Sequence, residues 1–183
     1  MIAATYKRLL QIGKVSGAIS FLLAAPYALV QYWQARDAAR VEQTLNFYKL
    51  YNAKPFTDYR EKITKALVKY KGKLNDAAVN EASLLQVQSD LIKNEEVEME
   101  LLLLFDFFDG VTVCVTSQVC DNDTAVQLFK PRALDIYLNF YQYMMSQRAN
   151  GATQDFGKGL QAIAKSGVPV AVPVAMPPAS SVN

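Results

Sequence analysis

The chain has 183 residues, 51% hydrophobic and 20% charged, with 19 Lys plus Arg against 17 Asp plus Glu, two Cys and no His. Without histidine there is no imidazole metal ligand, no His-ligated haem, no Ser-His-Asp or Cys-His nucleophile pair, and no side chain that titrates near neutrality unaided. A net charge of +2 gives no global electrostatic footprint for nucleic acid, so no nucleic-acid partner is expected.

That small net charge is a cancellation. Residues 1–73 carry 13 basic and 4 acidic side chains, whereas residues 74–183 carry 6 basic and 13 acidic ones. Glycine and proline gather at the far end, with four of eight Gly and four of seven Pro in residues 150–183. The chain therefore divides into a basic amino-terminal segment (1–14), an apolar anchor (15–33), a body (34–149) and a Gly/Pro-rich flexible tail (150–183).

Residues 15–33 read V-S-G-A-I-S-F-L-L-A-A-P-Y-A-L-V-Q-Y-W, without a formal charge. As a helix they cover about 28 Å, close to the hydrocarbon thickness of a bilayer, and predict a single transmembrane helix. Tyr32 and Trp33 are amphipathic rings suited to the headgroup level, and Lys14 and Arg36 can snorkel at either end. Pro26 is tolerated in membrane helices when neighbours re-satisfy the freed carbonyl. Ser16, Ser20, Ala24 and Ala28 repeat every four residues and form a candidate helix-packing face, although ordinary small-residue content explains them equally well. Signal-peptide cleavage is disfavoured because Pro26 sits at or beside the candidate cleavage sites.

Orientation is not decided by the nearest charges, because Lys7, Arg8 and Lys14 balance Arg36, Arg40 and Lys49. Farther out, Arg60, Lys62, Lys65, Lys69, Lys71 and Lys73 form a basic run that suits an anionic cytoplasmic leaflet or a partner surface. A plain solvated lysine face accounts for the same run, since Ile63, Leu67, Tyr70 and Leu74 make the apolar stripe of that helix. The resulting expectation is a single-pass protein of the bacterial inner membrane with its bulk in the cytoplasm, the periplasm being the alternative.

Beyond the anchor, Ala38, Val41, Leu45 and Tyr48 keep helical spacing until Asn52-Ala53-Lys54-Pro55, so the membrane helix is expected to continue as a stalk. A second helix is predicted from Asp58 to Lys71, ending before Gly72. A third is predicted to start at Asn75 or Asp76, with Val79, Leu84, Val87 and Leu91 inward. A fourth has Glu95 and Glu96 in its first turn and runs through the leucines and phenylalanines of 101–108 toward Ser117; being apolar almost all round, it is the expected central helix. The segment 111–115 is β-branched but has no strand to pair with, so it too is read as helix. Asp121 to Thr124 reads as an N-cap, followed by a short helix to Phe129 and a last helix opened by Pro131, with Leu134, Tyr137, Leu138 and Tyr141 on its buried side. The fold class is all-α: a transmembrane helix and stalk, a bundle of about five helices, and a disordered carboxyl-terminal tail.

The stretch 102–143, with the run L-L-L-F-D-F-F, the turn V-C-D-N-D-T and the sequel L-F-K-P-R-A-L-D-I-Y, resembles an uncharacterised bacterial family, domain of unknown function 4760. Members of that family carry an amino-terminal membrane helix, a helical domain with a segment like L-N-F-F-E, a loop like G-x-C-D, and a closing aromatic helix. The order of parts agrees over residues 15–148. The chain departs from the pattern at Asp109, two residues after Phe107, and in its basic amino-terminal tail. The resemblance implies no reaction, cofactor or catalytic residue.

No catalytic, cofactor or metal site is expected. Glu98, Asp106 and Asp109 share a helical neighbourhood, but bundle metal sites draw carboxylates from several helices and add histidines. The two aspartates are expected to face solvent or to pair with bases of the first half. Cys114 and Cys120, six apart, leave a disulfide open in an oxidising compartment, yet their spacing favours free buried thiols. The tail sequence V-P-V-A-V-P-V-A-M-P-P-A disfavours helix and suits either a partner surface or a disordered terminus. The function expected is that of a membrane-anchored helical interaction protein, an accessory subunit or scaffold, with the lipid bilayer and a protein partner or second copy as its contacts. The alternative is a membrane-tethered regulator that binds anionic lipid or a partner through 60–73.

Overall fold

The computed structural model describes residues 2–151 and 154–165, with side chains described from Pro26 onward. These residues form six helices and no strand: α1 (Ile2–Tyr51), α2 (Phe56–Ala77), α3 (Glu81–Asn94), α4 (Glu98–Thr116), α5 (Asn122–Ala149) and α6 (Lys158–Lys165). The chain divides into two compact units, Met1–Ala39 and Arg40–Asn183. The first is the greater part of α1.

α4 is the centre of the second unit because it is apolar on nearly every side. Leu101, Leu104, Phe105, Phe108 and Val111 are buried essentially completely. Phe107 and Phe108 meet Tyr51 from the end of α1 and Phe129 from α5 in a cluster of mostly edge-on rings, with centroids 5.3 to 6.3 Å apart. Such edge-to-face pairs add about 0.5–1.5 kcal/mol each beyond burial. The expected all-α bundle and its central helix are thus present. Residues 111–115 are helical, as read from the sequence.

Helix borders differ from expectation where a stronger local interaction competes. α2 runs past Gly72 to Ala77, because Tyr70 and Ala77 are buried on either side of an open glycine position. α3 then starts at Glu81, not at Asn75 or Asp76: the Asn80 side chain accepts the N–H groups of Ala82 at 2.9 Å and Ser83 at 3.2 Å. The turn between the two helices leaves Val79 95% exposed instead of inward. Glu95 and Glu96 do not open α4 but close α3, where the Glu95 N–H bonds to Leu91 and Glu96 takes a positive φ of 51°. Glu98 and Glu100 occupy the first turn of α4 in their place.

α5 joins the two helices expected on either side of Pro131. The carbonyl that Pro131 leaves without an N–H belongs to exposed Gln127, where water can take it. The break in α5 lies instead at Phe140, whose φ of −129° and ψ of 15° are not helical. A buried side chain explains it. The Gln88 amide of α3 donates to the Asn139 carbonyl at 2.7 Å and accepts the Tyr143 N–H at 2.8 Å. In a regular helix those two backbone groups would bond to each other; Gln88 is inserted between them. The buried face of α5 is made of Ala133, Ile136, Tyr137, Phe140 and Met144, and Leu134 and Leu138, expected inward, lie outside it.

The stretch 150–183, read as flexible tail, contributes α6 to the bundle. α6 packs on α4 and α5 with Leu160, Ala162, Ile163 and Ala164 buried. Gly159 permits the close approach, since a Cβ there would lie 2.6 Å from the Asp109 Cα and 2.7 Å from the Phe108 carbonyl oxygen. Residues 166–183 lie outside the described residues.

Candidate functional site

The basic run on α2 is the first candidate, and its cations have internal partners. Lys62 Nζ donates to Glu100 Oε1 at 2.7 Å and to the Glu96 carbonyl at 2.6 Å. Lys69 reaches Glu95 at 2.6 Å, and Lys65 reaches Glu61 at the same distance one turn back. The Arg60 guanidinium lies 4.2 Å over the Tyr51 ring, and the Lys73 ammonium 5.0 Å from the Tyr70 ring. Lys71 is exposed. Burial pushes the Glu100 carboxyl up, but the Lys62 hydrogen bond and a backbone N–H outweigh it and hold the group below the usual carboxylate range. For Lys69, the hydrogen bond and charge of Glu95 raise the ammonium pKa. The charge split of the sequence is therefore matched in part by bridges from α2 to the α3–α4 turn.

Of the two aspartates of α4 expected to face solvent or a base, one does so. Asp106 is exposed. Asp109 is half-buried, and its Oδ1 accepts the Gly159 N–H at 2.6 Å, at the start of α6. Burial pushes its carboxyl up, the Gly159 N–H opposes this, and the neighbouring Asp106 charge adds to the rise. Glu98 accepts the Tyr143 hydroxyl at 3.2 Å. Burial first, and the Glu98 charge second, push that phenol up to about 12. Among the described residues no group of three or more His, Cys, Asp or Glu is placed to hold a metal ion.

Cys114 and Cys120 are bonded as a disulfide, not free. The end of α4 closes into a turn in which the N–H groups of Val119 and Cys120 both bond to the Cys114 carbonyl at 3.0 Å, bringing the two Cα atoms to 5.2 Å. Arg40 donates to the Gln118 carbonyl at 2.7 Å, and buried Thr44 accepts the Asp121 N–H at 2.9 Å. The loop is thus fixed to α1 on one side and capped into α5 on the other, where Asp121 accepts the Thr124 N–H and hydroxyl. Those two hydrogen bonds draw the Asp121 carboxyl below its usual range.

In the first unit, Tyr27, Leu29, Val30, Tyr32 and Trp33 are each more than half exposed. The Arg36 guanidinium lies 4.8 Å over the Trp33 ring. Ala28 is exposed, while Lys14, Ser16, Ser20 and Ala24 lie outside the residues whose side chains are described. Among the described residues no helix is long and apolar enough to cross a membrane. The expected span 15–33 falls, over positions 15–25, outside the described side chains.

Arg148, which no sequence signal singles out, fastens α6. Its Nε donates to the Phe156 carbonyl at 2.8 Å and its Nη1 to Gln161 Oε1 at 3.0 Å. A basic residue near the end of a long helix is too common a feature to mark such a role.

Compared with known proteins, residues 18–165 match the family described as Domain of unknown function (DUF4760). No curated protein and no solved structure matches the chain.

Proposed function

The chain belongs to the DUF4760 family, and on that premise we propose that it is a membrane-anchored helical interaction protein, an accessory subunit or scaffold that binds instead of catalysing. The observation that carries the reading is the exposure of Tyr27, Leu29, Val30, Tyr32 and Trp33 on one short length of α1. Five large apolar or amphipathic side chains left unburied call for an apolar surrounding, and the charge-free run that contains them, residues 15–33, is long enough for a bilayer. The anchor is then the helix of residues 15–33 in a bacterial inner membrane, with Trp33 and Arg36 at its interface.

The disulfide turns the orientation the other way from the basic run. Structural disulfides persist in oxidising compartments, so the Cys114–Cys120 bond supports a bundle on the periplasmic side of the membrane. The regulator reading loses ground for a separate reason: Lys62, Lys65 and Lys69 are held by carboxylates of the same chain. An anionic lipid would have to displace them.

Membrane fractionation tests the proposal on the full chain. Wild type stays in the pellet through an alkaline carbonate wash, and the double substitution Leu29→Asp with Val30→Asp releases most of it. Release of wild type into the supernatant overturns the anchor. Thiol alkylation of intact cells before and after reductant tests the orientation: cysteines that react only after reduction support the oxidising side, and cysteines that react without it return the bundle to the cytoplasm.

A further inference from the structure

Residues 40–51 of α1 are held to the bundle at two places. At the far end Phe47, Tyr48 and Tyr51 pack their rings against Phe107, Phe108 and Phe129, with centroids 5.3 to 6.0 Å apart. At the near end the contacts are polar. Arg40 donates from Nε to the Gln118 carbonyl at 2.7 Å and from Nη2 to Gln118 Oε1 at 3.2 Å. The Thr44 hydroxyl, one turn on, donates to the Arg40 carbonyl at 2.9 Å and accepts the Asp121 N–H at 2.9 Å.

This near end rests on the disulfide. Gln118 lies within the loop that the Cys114–Cys120 bond closes, and Asp121 directly follows it. Gln118 takes a φ of 60°, a left-handed conformation that an L side chain keeps only where its surroundings hold it. Closure of residues 115–119 does so, and it aims the Gln118 carbonyl at Arg40. Both cysteines are buried, but neither is part of the contiguous apolar cluster around α4, and the loop between them is exposed at Ser117, Gln118 and Val119. The bond can therefore open without opening the core.

We propose that the Cys114–Cys120 bond is a redox-controlled clasp on α1: the disulfide holds residues 40–44 on the bundle, and the dithiol lets them go while the aromatic contacts at 47–51 and the core stay in place. The chemistry is thiol–disulfide exchange with a dithiol reductant. A thiolate of the reductant attacks one sulfur of the bond and forms a mixed disulfide, while the other cysteine leaves as a thiolate and takes up a proton. The second thiol of the reductant then attacks the mixed disulfide, so that two cysteine thiols and the reductant's own disulfide result, and one electron pair has passed to the protein. Freed of closure, Gln118 turns to a negative φ and its carbonyl leaves Arg40. The coupling is reciprocal, so Arg40 and Thr44 in turn favour the disulfide. The inference goes beyond the binding role above and does not rest on the anchor.

Nuclear magnetic resonance of the full chain, labelled with ¹⁵N-arginine and held in detergent, tests it. The Nε–H groups of Arg40 and Arg148 donate to backbone carbonyls at 2.7 and 2.8 Å, so one sample reports on the clasp and on the interior of the bundle together. Dithiothreitol is expected to quicken exchange of the Arg40 Nε–H with water about tenfold and to leave that of Arg148 unchanged. Equal exchange at Arg40 in the two forms, quickening of both arginines alike, or a bond that dithiothreitol does not reduce in the folded chain overturns the proposal. Reciprocity supplies a second readout, in dithiothreitol redox buffers below the unfolding transition. There the double substitution Arg40→Ala with Thr44→Val is expected to raise the dithiol-to-disulfide ratio about tenfold, and Lys71→Ala, at an exposed position, to leave it alone. A ratio unmoved by the double substitution, or moved equally by Lys71→Ala, overturns the proposal as well.

Discussion

Residues 26–33 of α1 and the first half of α4 are both rich in large apolar side chains, and they have opposite surroundings. Phe105, Phe107 and Phe108 are closed in by Tyr51, Phe129 and the α6 side chains, whereas Tyr27, Leu29, Val30, Tyr32 and Trp33 stand open. Apolar content alone does not decide whether a helix is covered. What separates them is the supply of facing elements: α4 meets α2, α5 and α6 along its length. A helix that other helices surround has its environment built by the chain.

The sharpest way to break that contrast is at its buried end. Phe108→Ala is expected to cost about 3–5 kcal/mol in denaturant unfolding. Trp33→Ala is expected to leave the same transition where it is and to weaken retention in the membrane pellet. Equal effects of the two on unfolding would abolish the distinction between the regions. The disulfide comes next: Cys114→Ser should cost about 2–4 kcal/mol, toward the lower end because the closed loop is short. Reductant should lower the unfolding midpoint of wild type by a similar amount and leave that of the variant unmoved.

Gln88→Ala should cost about 1–3 kcal/mol, because a buried amide pair is removed. Backbone amide exchange at Tyr143 reads the event locally, and unchanged protection there would show that α5 closes its own bond at no loss. The smallest effect belongs to the α2 bridge. The Glu100 carboxyl lies below its ordinary 4.5, so its contribution is fully present above that value and is lost as pH falls through the folded pKa. Glu100→Gln should flatten the acid limb of the stability curve by less than about 1 kcal/mol. An unchanged limb would mean that Lys62 and Glu100 are held together by geometry alone.

Much of this fold is written in local pattern. The leucines and phenylalanines of 101–108 mark the central helix because no other stretch of the body is as apolar, and Asp121 with Thr124 marks the start of α5 by its cap chemistry. Asn52 to Pro55 likewise marks the end of α1. What local pattern could not carry depends on distant residues. The α2–α3 border moved because Ala77 is buried by packing and Asn80 makes the better cap. The inner face of α5 could not be chosen from its sequence, which offers Leu134 and Leu138 as readily as Ile136 and Phe140. α6 is only eight residues long and is stable only where Asp109 and Arg148 receive it. For the candidate site, the basic run was legible as charge, but its bridges to Glu95 and Glu100 span 26 and 38 residues. The disulfide was legible only as a spacing, because it needs the turn at Gln118, with φ at 60°, to bring its ends together.

The amide of Gln88 has one more consequence, for how the protein can be taken apart. It holds open a hydrogen bond that α5 would otherwise close on itself, and it comes from a helix 55 residues before Tyr143. The bend in α5 is therefore not encoded in α5. A fragment beginning at α4 would contain every residue of α5 yet lack Gln88, so its Asn139 carbonyl and Tyr143 N–H would be free to bond to each other and the helix to close at Phe140. Binding measured on such a fragment would report a surface that the intact chain does not have.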